Sequence, residues 1–103
     1  MKIIKCLAEN IREEMHDAEK YAKLAVENRT EFPELADTFN TLSRQEVNHA
    51  TMLHSQVEKI IRDYRAKEGE PPTAMLAVYN WEHDNMIDNM ARVRVLQEMA
   101  AGK

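Results

Sequence analysis

Four ionisable residues stand at positions where the apolar pattern of the chain calls for buried side chains. They are Glu14, Glu46, His49 and Glu82. The clearest case is the stretch SRQEVNHATMLHS, residues 43–55, in which Glu46 and His49 lie one helical turn apart within an apolar rhythm. A buried carboxylate without a partner either costs several kcal/mol or is neutralised by a shift of its pKa. A divalent or trivalent metal ion removes this cost, because it pairs with carboxylates and accepts the lone pair of a neutral imidazole. The pattern therefore predicts a metal site.

Three long helices must position these residues, because the chain has few places to turn. It contains only two Gly and three Pro in 103 residues. The stretch NRTEFPEL (28–35) puts a proline in the first turn of a new helix. The stretch AKEGEPPTA (66–74) combines a glycine stop with two prolines that open the next helix. We predict helices over about 3–29, 33–67 and 72–100, within one domain that spans residues 1–103.

Each predicted helix carries a row of residues spaced alternately by three and four, which is typical of helices that pack nearly parallel. The predicted rows are Ile4, Leu7, Ile11, Glu14, Ala18, Tyr21 and Ala25; then Leu35, Phe39, Leu42, Glu46, His49, Leu53, Gln56 and Ile60; then Met75, Tyr79, Glu82, Met86, Asn89, Val93 and Leu96. The predicted fold class is all-α, a bundle of three long helices per chain. Further apolar residues flank each row, and the apolar surface becomes wider than three helices can bury among themselves. We therefore expect a homodimer or a larger homo-oligomer.

The positions of the other ionisable residues are less favourable for a shared site. Glu13 and His16 form a second Glu-x-x-His pair, but they fall mostly off the row of the first helix, which predicts solvated side chains. We expect His83 at a polar rim, and His54 off its row and exposed. The depth of Glu82 along its helix matches that of Glu46 poorly. Either the third helix is offset, or Glu82 belongs to a site of another chain.

Composition and charge exclude several classes of function. The net charge is −4, with acids and bases interleaved, so no basic stripe for nucleic acid exists. No apolar run approaches the roughly 20 residues that cross a bilayer, and the first residues lack the apolar centre of a signal peptide. These features predict a cytoplasmic protein. Cys6 is the only cysteine, which rules out an internal disulfide and a Cys-x-x-Cys zinc or rubredoxin-type iron site.

The helical segments resemble the ferritin-like superfamily, and within it the rubrerythrin-like branch. EMHDAEKYAKLA places Glu14 seven residues before Tyr21, as in the first helix of rubrerythrins. ELADTFNTLSRQEVNHATML is similar to the second helix, with its Glu-x-x-His-Ala at residues 46–50, and WEHDNM is similar to the ligand segment of the third. The resemblance covers most of residues 8–90. It implies that Glu14, Glu46, His49 and Glu82 bind metal. Iron as a di-iron centre is the implied cofactor, and manganese and zinc are alternatives.

The sequence also departs from this family in ways that imply a partner. A complete family domain has a fourth helix with a further Glu-x-x-His, which we do not find here. Without that helix, one chain supplies half to two-thirds of the ligands of a dinuclear site. The iron–sulfur module of rubrerythrins is not found here either. We expect a two-fold dimer in which the first two helices of each chain complete a four-helix bundle. Glu14, Glu46 and His49, each used twice, would then hold two metals. This arrangement is similar to that of small encapsulated ferritin-like proteins.

The resemblance implies oxidation of ferrous iron by oxygen or peroxide, for iron handling or defence against oxidative stress. The alternative is a non-enzymatic helical assembly or partner-binding module, in which the Glu and His residues of the rows fix the register of the helices. A zinc-dependent hydrolase is less favoured, because His-Glu-x-x-His is absent and the ligand set is rich in carboxylates.

Overall fold

Three long helices form an antiparallel bundle in the computed structural model, which describes residues 2–102. They are α1 (Lys2–Asn28), α2 (Pro33–Glu68) and α3 (Thr73–Ala100). The number of helices is as predicted, and each end lies within one or two residues of its predicted position. No strand occurs among residues 2–102. The all-α fold class is therefore confirmed.

Proline and glycine separate the helices in the predicted way. Pro33 opens α2, where its missing N–H leaves no hydrogen bond unmade. Gly69 ends α2 with a φ of +88°, a conformation that residues with a Cβ rarely adopt, and its N–H donates to the carbonyl oxygen of Arg65 at 3.3 Å. Pro72 then precedes α3. These short turns force consecutive helices to pack side by side.

Helix α1 packs against both other helices, and small side chains line its contact with α2. Ala18, Ala22 and Ala50 are fully buried. The buried Ser43 hydroxyl donates to the carbonyl oxygen of Ala18 at 2.7 Å, across the two helices. The buried apolar core comprises Ile4, Ala8, Ile11, Met15, Ala18, Ala22, Ala25, Ala36, Ala50, Val57, Ile61, Met75, Met86 and Val93. The resulting bundle is long and thin, with extents of 56 × 19 × 17 Å.

The row predicted for α2 is wrong by one residue. The buried positions are Ala36, Asn40, Ser43, Ala50, His54, Val57 and Ile61, each one residue beyond a position of the predicted row. The spacing was correct, but small residues face the core here because they allow α1 to approach closely. The larger Phe39, Leu42 and Leu53 are half-buried beside this contact. The α1 row is confirmed at Ile4, Ile11, Ala18 and Ala25, which are buried. Met15 and Ala22 are buried in place of Glu14 and Tyr21, which are half-buried. The α3 row is largely confirmed, with Met75, Glu82, Met86 and Val93 buried.

None of the three helices combines the length and the apolar content that a membrane span requires.

Candidate metal centre

Glu14, Glu46 and His49, here called the central trio, meet halfway along α1 and α2. The Nδ1 atom of His49 lies 3.5 Å from Oε2 of Glu14 and 3.7 Å from Oε2 of Glu46. One potential ligand atom from each residue lies within 4.8 Å of the other two. Glu14 and Glu46 reach the same height because their distances from the connecting turn are nearly equal. The structure thus brings together three of the four residues that the sequence predicted.

The electrostatics of the central trio favour a bound cation. The pKa of Glu46 is raised, first by a hydrogen-bonding interaction with the Glu14 side chain, then by burial and by the repulsion between the two carboxylates. His49 opposes this rise only partly. A metal ion at this place would favour ionisation of both carboxylates and would offset the repulsion between them.

The donors of the central trio also fit iron or manganese in type. Two carboxylates and one imidazole form a hard-to-borderline set, with no thiolate that would select softer metals. Among residues 2–102, this is the one group whose ligand atoms already lie so close together. The His49 side chain is 51% exposed, so the centre opens at the surface of the single chain. Three protein ligands on an open face are too few for two metal ions.

Glu82 does not lie with the central trio. It is 3% exposed and faces α2 further along that helix, where its Oε2 lies 3.2 Å from Nδ1 of His54. Burial raises the pKa of Glu82, and the nearby His54 and His83 partly offset the rise. Its other oxygen, Oε1, is buried without a hydrogen-bond partner. The predicted role of Glu82 as a metal ligand therefore remains a prediction, and any such role would be separate from the central trio.

A second cluster of ionisable side chains lies between α2 and α3. This histidine cluster comprises His54, Glu58, Tyr79, Glu82 and His83. Its central residue, His54, is only 8% exposed, so the expectation that it is solvated was wrong. The reason is the rotation of α2, which places His54 on the buried face four residues after Ala50. The i, i+4 spacing of His54 and Glu58 indicates that the two side chains can contact each other on a helix. Whether that contact is buried depends on the rotation of α2, which the spacing alone does not give.

The remaining predicted positions are peripheral. Glu13 and His16 are both exposed, which agrees with the expectation of solvated side chains. Tyr21, seven residues after Glu14, is half-buried and stacks on Phe39 with ring centroids 6.1 Å apart. Phe39, in turn, lies seven residues before Glu46. This aromatic pair therefore lies two helical turns from the central trio on both helices.

Comparison with known proteins assigns the chain to a family. The family model described as Rubrerythrin matches residues 5–100. Searches of curated proteins and of solved structures found no significant match. The matched segment includes α1 from its fourth residue onward, all of α2 and α3, the central trio and the histidine cluster. Because the match extends over nearly the whole sequence, the chain belongs to the rubrerythrin family of ferritin-like proteins.

Proposed function

We propose that the protein is a non-haem di-iron, or iron/manganese, protein that oxidises ferrous iron with oxygen or peroxide. Iron handling or oxidative-stress defence would be its biological role. The observation that carries the proposal is the convergence of two carboxylates and one imidazole from α1 and α2 within 4.8 Å, in a chain of the rubrerythrin family. Carboxylates stabilise the ferric state, and the imidazole adds a neutral donor.

A second copy of the chain would complete the centre. Beside the central trio, α2 presents Phe39, Leu42 and Leu53 as half-buried apolar side chains, and Leu35 is 44% exposed. A two-fold axis through this face would bring two central trios together and would cover these side chains. The four helices around the axis would be α1 and α2 of each copy. Together they would supply six ligands for two metal ions.

The residues of the chain have separable roles in this proposal. Glu14 and Glu46 supply the negative charge that attracts the cation, and a bound cation would offset the repulsion that helps to raise the pKa of Glu46. His49 binds as the neutral imidazole. Iron, when bound, supplies one-electron redox chemistry with oxygen or peroxide as the oxidant.

An anaerobic titration with ferrous iron, followed by exposure to air, tests the proposal. We expect the full chain to take up about one iron ion per chain and to oxidise it faster than buffer alone. Glu46→Ala and His49→Ala should each abolish most of this uptake. Glu13→Ala and His16→Ala form a matched control pair with the same spacing on an exposed face, and both should bind iron normally. Uptake that is unchanged in Glu46→Ala and His49→Ala would refute the proposal.

The same variants separate this function from that of a non-enzymatic assembly. If Glu46 and His49 only fix helix register, Glu46→Leu and His49→Leu should keep or raise the melting temperature, and a chelator should have no effect. If they bind metal, iron should raise the melting temperature of the native chain, and the leucine variants should lose that increase.

A further inference from the structure

The histidine cluster lies beyond the central trio, on the opposite flank of α2, and the proposed iron chemistry does not use it. His54 is its centre, and both ring nitrogens of His54 have close neighbours. Nδ1 lies 3.2 Å from Oε2 of Glu82. Nε2 lies 2.7 Å from Oε1 of Glu58 and 3.2 Å from Nδ1 of His83. The Tyr79 and His83 rings both stack on the His54 ring, with centroids 6.0 and 5.0 Å away.

The inner contact orients the His54 ring. When Glu82 is ionised it only accepts hydrogen bonds, and Nδ1 of His54 must then carry the hydrogen that the ring donates to it. The Nε2 atom of the neutral ring is then left with its lone pair. A histidine that donates one ring N–H to a buried carboxylate and presents the other nitrogen outward is the usual arrangement of a metal-binding histidine.

The outer contacts leave lone pairs facing one another. The Nε2 atom of neutral His54 faces a Glu58 carboxylate oxygen at 2.7 Å, where two acceptors repel. A hydrogen on Nε2 of His54 would be donated to the Glu58 carboxylate, and the contact with Nδ1 of His83 would then be the weaker of the two. One metal ion would satisfy all three donors. A cation on His54 would also offset the buried charge of Glu82, whose Oε1 atom has no hydrogen-bond partner.

We propose that His54 Nε2, His83 Nδ1 and the Glu58 carboxylate bind one divalent first-row metal ion, such as zinc, with Glu82 as the positioning residue of His54. Two imidazoles and one carboxylate form a common ligand set for zinc and for ferrous iron. Only the central trio has all its donor atoms within 4.8 Å of one another among residues 2–102, so the second set must close around the ion. The Glu58 side chain is 53% exposed and is free to rotate for this closure.

Zinc titration of the full chain, without an affinity tag and stripped of metal, tests this site. The Glu46→Ala/His49→Ala double variant removes the central trio and should still bind about one zinc ion per chain. Adding His83→Ala or Glu58→Gln should weaken this remaining binding by at least about tenfold. Both side chains are partly exposed, so these variants should fold, which far-UV circular dichroism checks. Adding His16→Ala, an exposed histidine of α1, should change nothing.

Two further measurements distinguish a metal site from a buried ion pair. Zinc should shift the ring nitrogen resonances of His54 and His83 in NMR spectra but not those of His16. Glu82→Gln should weaken zinc binding by about 10–100-fold, because it loosens the orientation of His54. If the double variant binds no zinc, or if His83→Ala leaves its binding unchanged, the proposed site does not exist. Iron uptake by the single His83→Ala variant reports on the central trio separately, so the two proposals fail independently.

Discussion

At the scale of single residues, Glu46 and Glu82 both have raised pKa values, but the leading causes differ. For Glu46 the leading cause is the neighbouring Glu14 side chain. For Glu82 it is burial. The difference matters because a cation at the central trio would relieve the first effect directly. The effect of burial on Glu82 would be offset by positive charge at His54, either from a proton or from a metal ion.

Burial of Glu82 predicts a pH-dependent stability of the metal-free protein. Because its pKa is higher in the folded than in the unfolded chain, the unfolded state ionises first as the pH rises. Stability from this group is therefore fully present below the unfolded pKa and is lost as the pH rises through the folded pKa. Melting temperatures measured in chelator between about pH 5 and pH 8 should fall with pH in the native chain and less steeply in Glu82→Gln.

The neighbours of Glu82 define the controls for this measurement. His54 and His83 lower its pKa, and Glu58 raises it, so all three side chains face the group that titrates. Glu58→Gln removes the charge that contributes least to the shifted pKa of Glu82, so it should keep most of the pH dependence. An identical slope in native protein and Glu82→Gln would mean that another group, such as Glu46, dominates.

The sequence predicted the central trio because its geometry depends on local features. The turn between α1 and α2 is short, so counting residues back from it places Glu14 beside Glu46. Glu82 could not be placed in this way. Its partner depends on the rotation of α2 and on the offset of α3, which many weak contacts decide together. His54 was missed for the same reason, since its burial follows from that rotation.

At the scale of helices, small side chains decide how α1 and α2 pack. Hydrophobicity alone favoured the row with Phe39, Leu42 and Leu53, and that choice was wrong by one residue. Close packing instead favours the face with Ala36, Ser43 and Ala50, because small residues let two helices approach. Periodicity therefore predicted the bundle, while residue size determined which face of α2 is buried.

Enlarging a residue at this contact should destabilise the bundle. Ala22 is fully buried on α1, so Ala22→Leu would force α1 and α2 apart and should lower the free energy of unfolding by about 1–3 kcal/mol. Ala91→Leu makes the same change at an exposed position of α3 and should stay within about 0.5 kcal/mol of the native value. Urea unfolding monitored by circular dichroism measures both. Equal stability of the two variants would show that α1 and α2 are not closely packed at Ala22.

At the scale of the whole molecule, the central trio lies on a face that one chain leaves partly open. His49 is half-exposed there, and apolar side chains of α2 continue the face on both sides of it. A long bundle only 17–19 Å across has little interior in which to enclose two metal ions by itself. Assembly and metal binding should therefore depend on the same surface. Because that surface lies outside the buried core, substitutions there can test both properties without unfolding the chain.

Leu42 offers a way to break the proposed dimer without removing a ligand. It is half-buried, lies one turn before Glu46 and is outside the core cluster, so Leu42→Glu should leave the three-helix fold intact. A buried charge at a two-fold axis would meet its own copy, and the repulsion should convert the dimer into a monomer. Light scattering should show the halved mass, and iron uptake should fall with it although Glu14, Glu46 and His49 are all present. Val95→Glu places the same charge on the exposed side of α3, where Val95 is 57% exposed, and should leave both mass and iron uptake unchanged. A monomeric Leu42→Glu variant that still binds iron at full stoichiometry would show that one chain holds its metal alone.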